Sequence, residues 1–359
     1  MNEFDQYIRQ GEPSQQERAA YWRTAVGLQA VDGLQTSAYL KEAALRHIEG
    51  EIDIDQARQL IKTYYQSEAT REAIDDDQQE ADMVSANITK ILSSVSLDFS
   101  ANGFIALHRR IFEGVLKHAG EIRHYDITKK EWVLDADTVN YLNWEDLYRA
   151  LEYDIEQERR FSYKNLSLEQ QVLHIAQFVS GLWQIHPFGE GNTRTTAVFT
   201  ILYLRHIGFS VKNDLFAERA WYFRNALVRA NYKNAIKGID YSPIYLERFF
   251  RNLLMGEQWD LRNRYLHISP TAEWRHQPQL GVEERVVTTE KTTEKTTEKS
   301  TEAIILQAMR SNPYITQKEL AAKCGLTEDG VYYVVSKLRK SGVVKRVGGR
   351  KLGHWEVLR

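Results

Sequence analysis

Residues 185–199 read IHPFGEGNTRTTAVF. Over 186–194 they bring His186, Gly189, Glu190, Gly191, Asn192, Thr193 and Arg194 together. His186 supplies an imidazole that titrates near neutrality and can take a proton. Gly189 and Gly191 permit positive φ and close approach of a ligand to the backbone. A glycine-bearing turn at a helix N-terminus presents free N–H groups and the positive end of the dipole, an anion site. Asn192 and Arg194 add side-chain donors suited to phosphate oxygens. Glu190 inside such a turn repels an anion unless a cation bridges the two. Mg2+ is the natural bridge, because it binds through one or two carboxylates plus phosphates. Together these parts suit transfer of a phosphate-bearing group from a nucleotide to a hydroxyl. The plainer alternative is an ordinary interhelical turn with Asn192 as N-cap. No GKS or GKT follows, so the stretch is not a Walker A sequence, and no strand precedes it as a dinucleotide fingerprint requires.

Two apolar helices must hold this turn. LEQQVLHIAQFVSGLWQI (168–185) repeats its apolar residues at spacings of three and four. TRTTAVFTILYLRHIG (193–208) is apolar nearly all round, which predicts a central buried helix ending at Gly208. SANGFIALHRRIFEGVL (100–116) and YSPIYLERFFRNLLMG (241–256) repeat the amphipathic pattern. RHYDITKKEWVLDADTVNYL (123–142) is instead rich in Val, Ile, Thr, Trp and Tyr, and predicts a short hairpin with Lys129-Lys130 near its tip. The fold class expected is mainly α, a helical bundle with a β-hairpin flap. Ahead of the 76–265 core, residues 1–75 read as helix, break at Gly33, helix, break at Gly50, helix, a cap on the larger unit.

The 359 residues are 43% hydrophobic and 27% charged, the balance of a globular protein, and the formal net charge of −2 confines any nucleic-acid contact to a local patch. One cysteine, Cys324, excludes an internal disulfide framework and a CxxC zinc site. No signal-peptide core and no run of about 18–20 apolar residues is present, so the expectation is a soluble cytoplasmic protein without membrane contact. TTEKTTEKTTEKSTE (288–302) has no apolar residue and predicts a mobile linker, placed at 266–302. Behind it, residues 303–359 read as three helices and a two-stranded hairpin, the order of a winged helix-turn-helix (α+β). This part carries 11 Lys and Arg against 4 Asp and Glu, a net charge of +7. That asymmetry favours a DNA-backbone contact through Lys337, Arg339 and Lys340 on the third helix and Arg346, Arg350 and Lys351 on the wing. Glu328 and Asp329 oppose it, and protein contact or dimerisation is the alternative.

HPFGEGNTRTTA resembles the signature of Fic-domain proteins, His-x-Phe-x-(Asp/Glu)-Gly-Asn-Gly-Arg-x-x-Arg, with His186, Phe188, Glu190, Gly191, Asn192 and Arg194 matching. LHRRIFEGVLKHAGEIRHYDI (107–127) and WYFRNALVRANYKNA (221–235) extend the resemblance over about residues 95–260. It implies transfer of AMP from ATP to a Ser, Thr or Tyr hydroxyl of a protein. It also implies His186 as general base, Glu190 on Mg2+ at the phosphates, and Gly189, Gly191, Asn192, Thr193 and Arg194 around the donor. Phe188 is then a buried anchor. Ile127, Thr128 and Lys129 belong to a flap that pairs with the target backbone like an added strand. Asn231 matches a position that meets the adenine, with Phe223 and Arg224 where tyrosines are frequent. Two positions depart from the family. Thr193 replaces the third Gly, and Ala197 replaces the second Arg, which usually holds the γ-phosphate or an inhibitory glutamate. In the family's inhibitory motif, Leu28 and Asp32 stand at the two key positions. Both halves of the inhibitory pair thus read as missing together, which predicts weak or different autoinhibition. Two further readings stay open: a nucleotide-sensing winged-helix regulator with an inactive Fic unit, and a transferase using another nucleotide-linked donor. Self-modification and a homo-oligomer are also left open.

Overall fold

The computed structural model describes residues 4–66, 76–94, 96–211, 214–269, 305–324, 331, 334–336, 338–339, 342–347 and 354–358. The chain divides into two compact units, Met1–Val282 and Glu283–Arg359.

The first unit is helical. In order come α1 (Asp5–Gln10), α2 (Pro13–Gly27), a 3-10 turn (Leu28–Asp32), α3 (Ala38–Glu49), α4 (Ile54–Gln66) and α5 (Asp76–Ser94). There follow α6 (Ala101–Ile111), α7 (Leu147–Arg160), α8 (Leu168–Ile185), α9 (Asn192–His206), α10 (Asp214–Glu218), α11 (Ala220–Ala230) and α12 (Ile244–Met255). The breaks at Gly33 and Gly50 fall as the sequence predicts, both in left-handed backbone (φ 72° and 84°) that a β-carbon disfavours. A capping box opens α8: the Ser167 hydroxyl accepts from Gln170 N at 3.2 Å, and the Gln170 side chain accepts from Ser167 N at 2.9 Å. Its Val172, Ile175, Ala176, Val179, Leu182 and Trp183 are buried. Helix α9 is buried on every face from Asn192 to Leu204, as an all-round apolar helix must be.

Two apolar clusters fill this unit. Trp22, Leu40, Ile48 and Ile61 anchor the one formed by α1 to α4. The larger one is centred on α6, α8, α9 and α11, and it also takes in Leu28 and Val31 of the 3-10 turn. The N-terminal segment is therefore inserted into the core at that turn. Buried Asp82 on α5 ties α3 and α4 to the core, accepting from Ser37 N (2.8 Å) and Oγ (2.5 Å) and from Tyr65 OH (2.6 Å).

The expected β-hairpin at 123–142 is not one. No strand forms there, and the tip is not Lys129-Lys130 but the turn through Asp135 and Ala136, both in left-handed backbone (φ 54° and 63°). Glu131 N reaches Asp137 O (3.0 Å) and Ala136 N reaches Glu131 O (3.1 Å), closing the tip. Lower down, the Arg123 guanidinium donates to the carbonyls of Tyr125 (2.5 Å) and Leu142 (2.6 Å), so a buried side chain stands where a strand ladder would. Outside the tip, Ile268 N donates to Val133 O at 2.9 Å.

The second unit has its own core of Ile305, Met309, Leu320, Val331, Val335, Leu338, Val344 and Trp355. It is helical at 305–311 and at Gln317–Cys324, and also at the described positions 331, 334–336 and 338–339. Strands β1 (Val344–Val347) and β2 (His354–Val357) pair antiparallel, Val344 opposite Val357 and Arg346 opposite Trp355. That is the helix and wing order expected. The TTEK stretch, the turn at Gly325-Leu326-Thr327 and the wing tip at Gly348-Gly349 lie outside the described residues.

Candidate active site

Helix α8 ends at His186, which adopts left-handed backbone (φ 51°, ψ 58°). Such a conformation in a residue with a β-carbon stores strain of order 1 kcal/mol. The ring is 2% exposed, set between Tyr141 (centroids 4.2 Å apart) and the edge of Trp183 (5.1 Å). Nδ1 lies 3.2 Å from the carbonyl of Trp183. A carbonyl only accepts, so Nδ1 carries the proton and Nε2 keeps its lone pair. Nε2 is buried and has no hydrogen-bond partner among the described residues. Burial first, then the positive charge of Lys129, holds the imidazole well below its ordinary pKa; Arg224 and Arg123 add to this, against the Trp183 carbonyl. The group is a neutral base with an unused lone pair.

The turn that follows is fixed from inside. Asn192 clamps Phe188, accepting from its N–H at 3.0 Å and donating to its carbonyl at 2.7 Å. Its side chain thus shapes the loop, and Phe188 is the buried anchor expected, 1% exposed. Against Phe188 lies His108 (centroids 3.7 Å), buried and pushed down to about 4 by desolvation. His108 Nδ1 accepts from Gly120 N (2.8 Å), so Nε2 donates to the Glu190 carbonyl (3.1 Å) and pins the middle of the loop. Gly191 caps α9 at φ 70°, and a β-carbon there would lie 2.2 Å from the Phe112 ring. Thr193, which replaces the family glycine, accepts from the Trp183 indole at 3.0 Å, linking the start of α9 to the end of α8. The Glu190 carboxylate is exposed, and no hydrogen bond to it is found among the described residues.

Arg194 points the other way from what an open anion site needs. It is 3% exposed, with Nε 2.8 Å from Asp32 Oδ2, a charge contact not aligned as a hydrogen bond. Its two terminal nitrogens donate to Glu80 on α5 (2.6 Å) and to Gln29 (3.1 Å), and the guanidinium lies over Phe112 (4.8 Å). The sequence expectation that Asp32 has lost its partner is therefore corrected. Positions 194 and 197 share a face of α9 one turn apart, and Asp32 reaches Arg194 in place of position 197. Ala197 and Leu28 are buried in the main core.

The flap contributes from above. Glu131, 2% exposed, is ion-paired with Arg224 of α11 (2.9 Å) and accepts from Tyr141 OH (3.3 Å), the tyrosine that covers His186. Arg123 donates its Nε to the His186 carbonyl (2.9 Å), and its backbone N to Pro187 O (2.9 Å). Sequence reasoning assigned no role to Arg123, His108, Tyr141, Glu131, Glu80 or Gln29, since no motif marks them. Asn231, expected near an adenine, ties α11 to α8, its amide donating to Ser180 Oγ (2.9 Å), Ser180 O (3.2 Å) and Leu227 O (3.0 Å). Thr128 is exposed and Ile127 half-buried, with Lys129 turned inward. In the second unit Arg339 and Arg346 are exposed, the latter over Trp355 (4.9 Å), while Lys337, Lys340, Arg350 and Lys351 lie outside the described residues. Among the described residues no helix is long and apolar enough to cross a membrane.

Residues 98–204 match the family model of the Fic/DOC family, and residues 302–345 that of winged helix-turn-helix DNA-binding domains. Comparison with curated proteins gives no match. Among solved structures, a crystal structure of a Fic family protein from Desulfovibrio desulfuricans G20 is similar at 13% identity and a TM-score of 0.40, over 98% of this chain and 90% of that one.

Proposed function

We propose, with the Fic/DOC domain at 98–204 as premise, that the chain is a Fic-type transferase that moves AMP from ATP to a Ser, Thr or Tyr hydroxyl of a protein. The observation that carries this is His186, a buried, neutral imidazole with the proton on Nδ1 and an unpartnered lone pair on Nε2, at the entrance of a helix N-terminus. Nε2 takes the proton of the target hydroxyl. The hydroxyl oxygen forms a bond to the α-phosphorus, the bond from that phosphorus to the bridging oxygen breaks, and pyrophosphate leaves with the bonding pair. Backbone N–H groups at the start of α9 receive the anionic oxygens.

A magnesium ion fits the donor chemistry of the turn. The Glu190 carboxylate is exposed, and no cluster of three metal-ligating side chains is found among the described residues, so the donor's phosphates complete the shell. When bound, the ion neutralises charge on the leaving pyrophosphate. Glu190 holds it, and His108 holds Glu190 in place through the backbone.

The Arg194 contacts support a restrained resting state. With Asp32 and Gln29 of the 3-10 turn and Glu80 of α5 around it, Arg194 reaches a phosphate only after both the turn and Glu80 release it. Incubation with ATP labelled at the α-phosphate tests the reading. Label is expected on protein with the wild type and is lost, by at least about a hundredfold, in His186→Ala. Transfer unaffected by that change removes His186 from the role. The winged helix at 302–345 favours a second reading, a nucleotide-sensing regulator at DNA. Absence of transfer with every nucleotide tried would leave that one. Ala197 keeps a different nucleotide-linked donor within the set to try.

A further inference from the structure

From Ile127 to Val133 the flap runs with alternating burial. Thr128, Lys130 and Trp132 are exposed, whereas Ile127, Lys129, Glu131 and Val133 are half-buried or buried. Ahead of the 3-10 turn Trp132–Leu134, Glu131 is extended (φ −103°, ψ 126°). Successive side chains there point to opposite sides, so Lys129 and Glu131 share the face turned toward His186. Glu131 confirms the direction, since it meets Tyr141 and Arg224 there. The Lys129 backbone is pinned on the same run, its N–H donating to Thr138 Oγ1 at 3.1 Å.

The cations around this face differ in one respect. Arg194 has Asp32, Glu80 and Gln29. Arg224 has Glu131. Arg123 donates to the carbonyls of His186, Tyr125 and Leu142. For the Lys129 ammonium, no hydrogen bond or ion pair within 4.0 Å is found among the described residues. It is nonetheless withdrawn from solvent, which lowers its pKa, and it feels Asp32, Glu131 and Glu190 as attractive charges at longer range. A partly buried ammonium without a bonded partner is costly unless an anion completes it. The same face holds the second unpartnered polar atom, Nε2 of His186.

We propose that Lys129 is a phosphate-binding residue: its ammonium meets the terminal, leaving phosphates of the nucleotide donor, on the same side as His186 and Glu190. This rests on the transferase reading for the identity of the donor, but not for the presence of an anion site. The flap then has two faces with two duties. Its inner face, through Lys129, holds the donor. The outer face, with Thr128 and Lys130, is left for the target. Lys129 also supplies the cation that α9 lacks at Ala197.

The test uses the full-length chain and titrates magnesium-ATP, inorganic pyrophosphate and adenosine into wild type, Lys129→Ala, Lys129→Arg and Lys130→Ala. Loss of one charge-assisted contact is expected to weaken ATP and pyrophosphate by about tenfold or more in Lys129→Ala and to leave adenosine unchanged. Lys129→Arg retains most of the affinity, and Lys130→Ala all of the pyrophosphate affinity. A second readout is the pH profile of transfer. His186 is faced by Lys129, Arg123, Arg224 and Tyr141. Removing the Lys129 charge makes its imidazole easier to protonate, so the acid limb of the profile moves to higher pH. Pyrophosphate binding equal in wild type and Lys129→Ala, or no binding by the wild type, overturns the proposal. Pyrophosphate binding that depends on Lys129 in a chain that transfers nothing would instead sustain the anion site and sink the transferase reading.

Discussion

In the proposed transfer His186 has to be neutral before its substrate arrives, and burial with the surrounding cations lowers its pKa accordingly. Its orientation comes from a single carbonyl, that of Trp183, which also positions Thr193 through its indole. One tryptophan therefore sets the geometry of both sides of the turn. Gly191 is the residue with the least room for change. Its φ of 70° and the Phe112 ring 2.2 Å from a β-carbon leave Gly191→Ala two penalties, backbone strain and a clash with a ring packed on Arg194 and His108. We expect this change to cost at least about 2 kcal/mol, read as a lowered thermal midpoint, together with loss of label transfer. An unchanged midpoint would mean that Phe112 moves freely, against the packing described. At this scale the motif residues were legible because their types carry the chemistry. Arg123 and His108 were not, since their roles are contacts with backbone 63 and 82 residues away. Asn192 has a structural contact that its residue type alone did not reveal. An amide that can bind phosphate can equally bind a neighbouring peptide, and here it binds Phe188.

Among the elements, the 3-10 turn Leu28–Asp32 has the largest leverage. Leu28 and Val31 fasten it into the main core, so Asp32 is delivered to Arg194 by packing as well as by charge. Asp32→Ala should raise transfer, scored as label on protein per unit time. The Asp32 side chain is partly exposed, so its pair contributes about 1 kcal/mol or less and the rise is about fivefold or less. Glu80→Gln added to it should raise transfer further. Equal or lower activity in both would show that these acids position Arg194 without restraining it. Ala197→Arg would be an uninformative partner for this test, because position 197 is sealed in the core. Helix boundaries were readable from periodicity, capping residues and glycines, and α8 begins and ends as its pattern predicts. The flap was misread as a hairpin. Its β-branched and aromatic residues serve burial, with Val133, Leu134 and Val139 in the main core, and not a strand ladder.

At the scale of the molecule, three buried histidines among the described residues make stability depend on pH. His47 and His108 are lowered from 6.5 to about 4 by burial, and His186 is lowered well below 6.5. Each binds a proton more readily unfolded than folded, so its contribution is complete above about pH 6.5 and is lost as pH falls toward 4. Asp82, raised by burial, acts in the opposite sense. A thermal midpoint clearly lower at pH 5 than at pH 7 is expected for the full chain, and a smaller drop in His47→Gln. A midpoint unchanged between those pH values would mean that the histidines gain water or partners not seen here. The division into a helical body and a basic C-terminal unit was visible in composition, whereas the insertion of residues 28–32 into the core was not, because a short apolar pair has no periodic signature. That insertion has a consequence for how nucleotide acts. Asp32 and Glu80 belong to the same chain as Arg194, so they compete with a phosphate as tethered ligands, at an effective concentration on the order of millimolar or more. On the transferase reading, the dissociation constant measured for nucleotide is then the intrinsic one divided by the fraction of molecules in which the tether is open, so binding is weakened. If the proposed transferase reading holds, release of Arg194 by Leu28–Asp32 and by Glu80 would lower the nucleotide concentration needed without altering the residues that bind it.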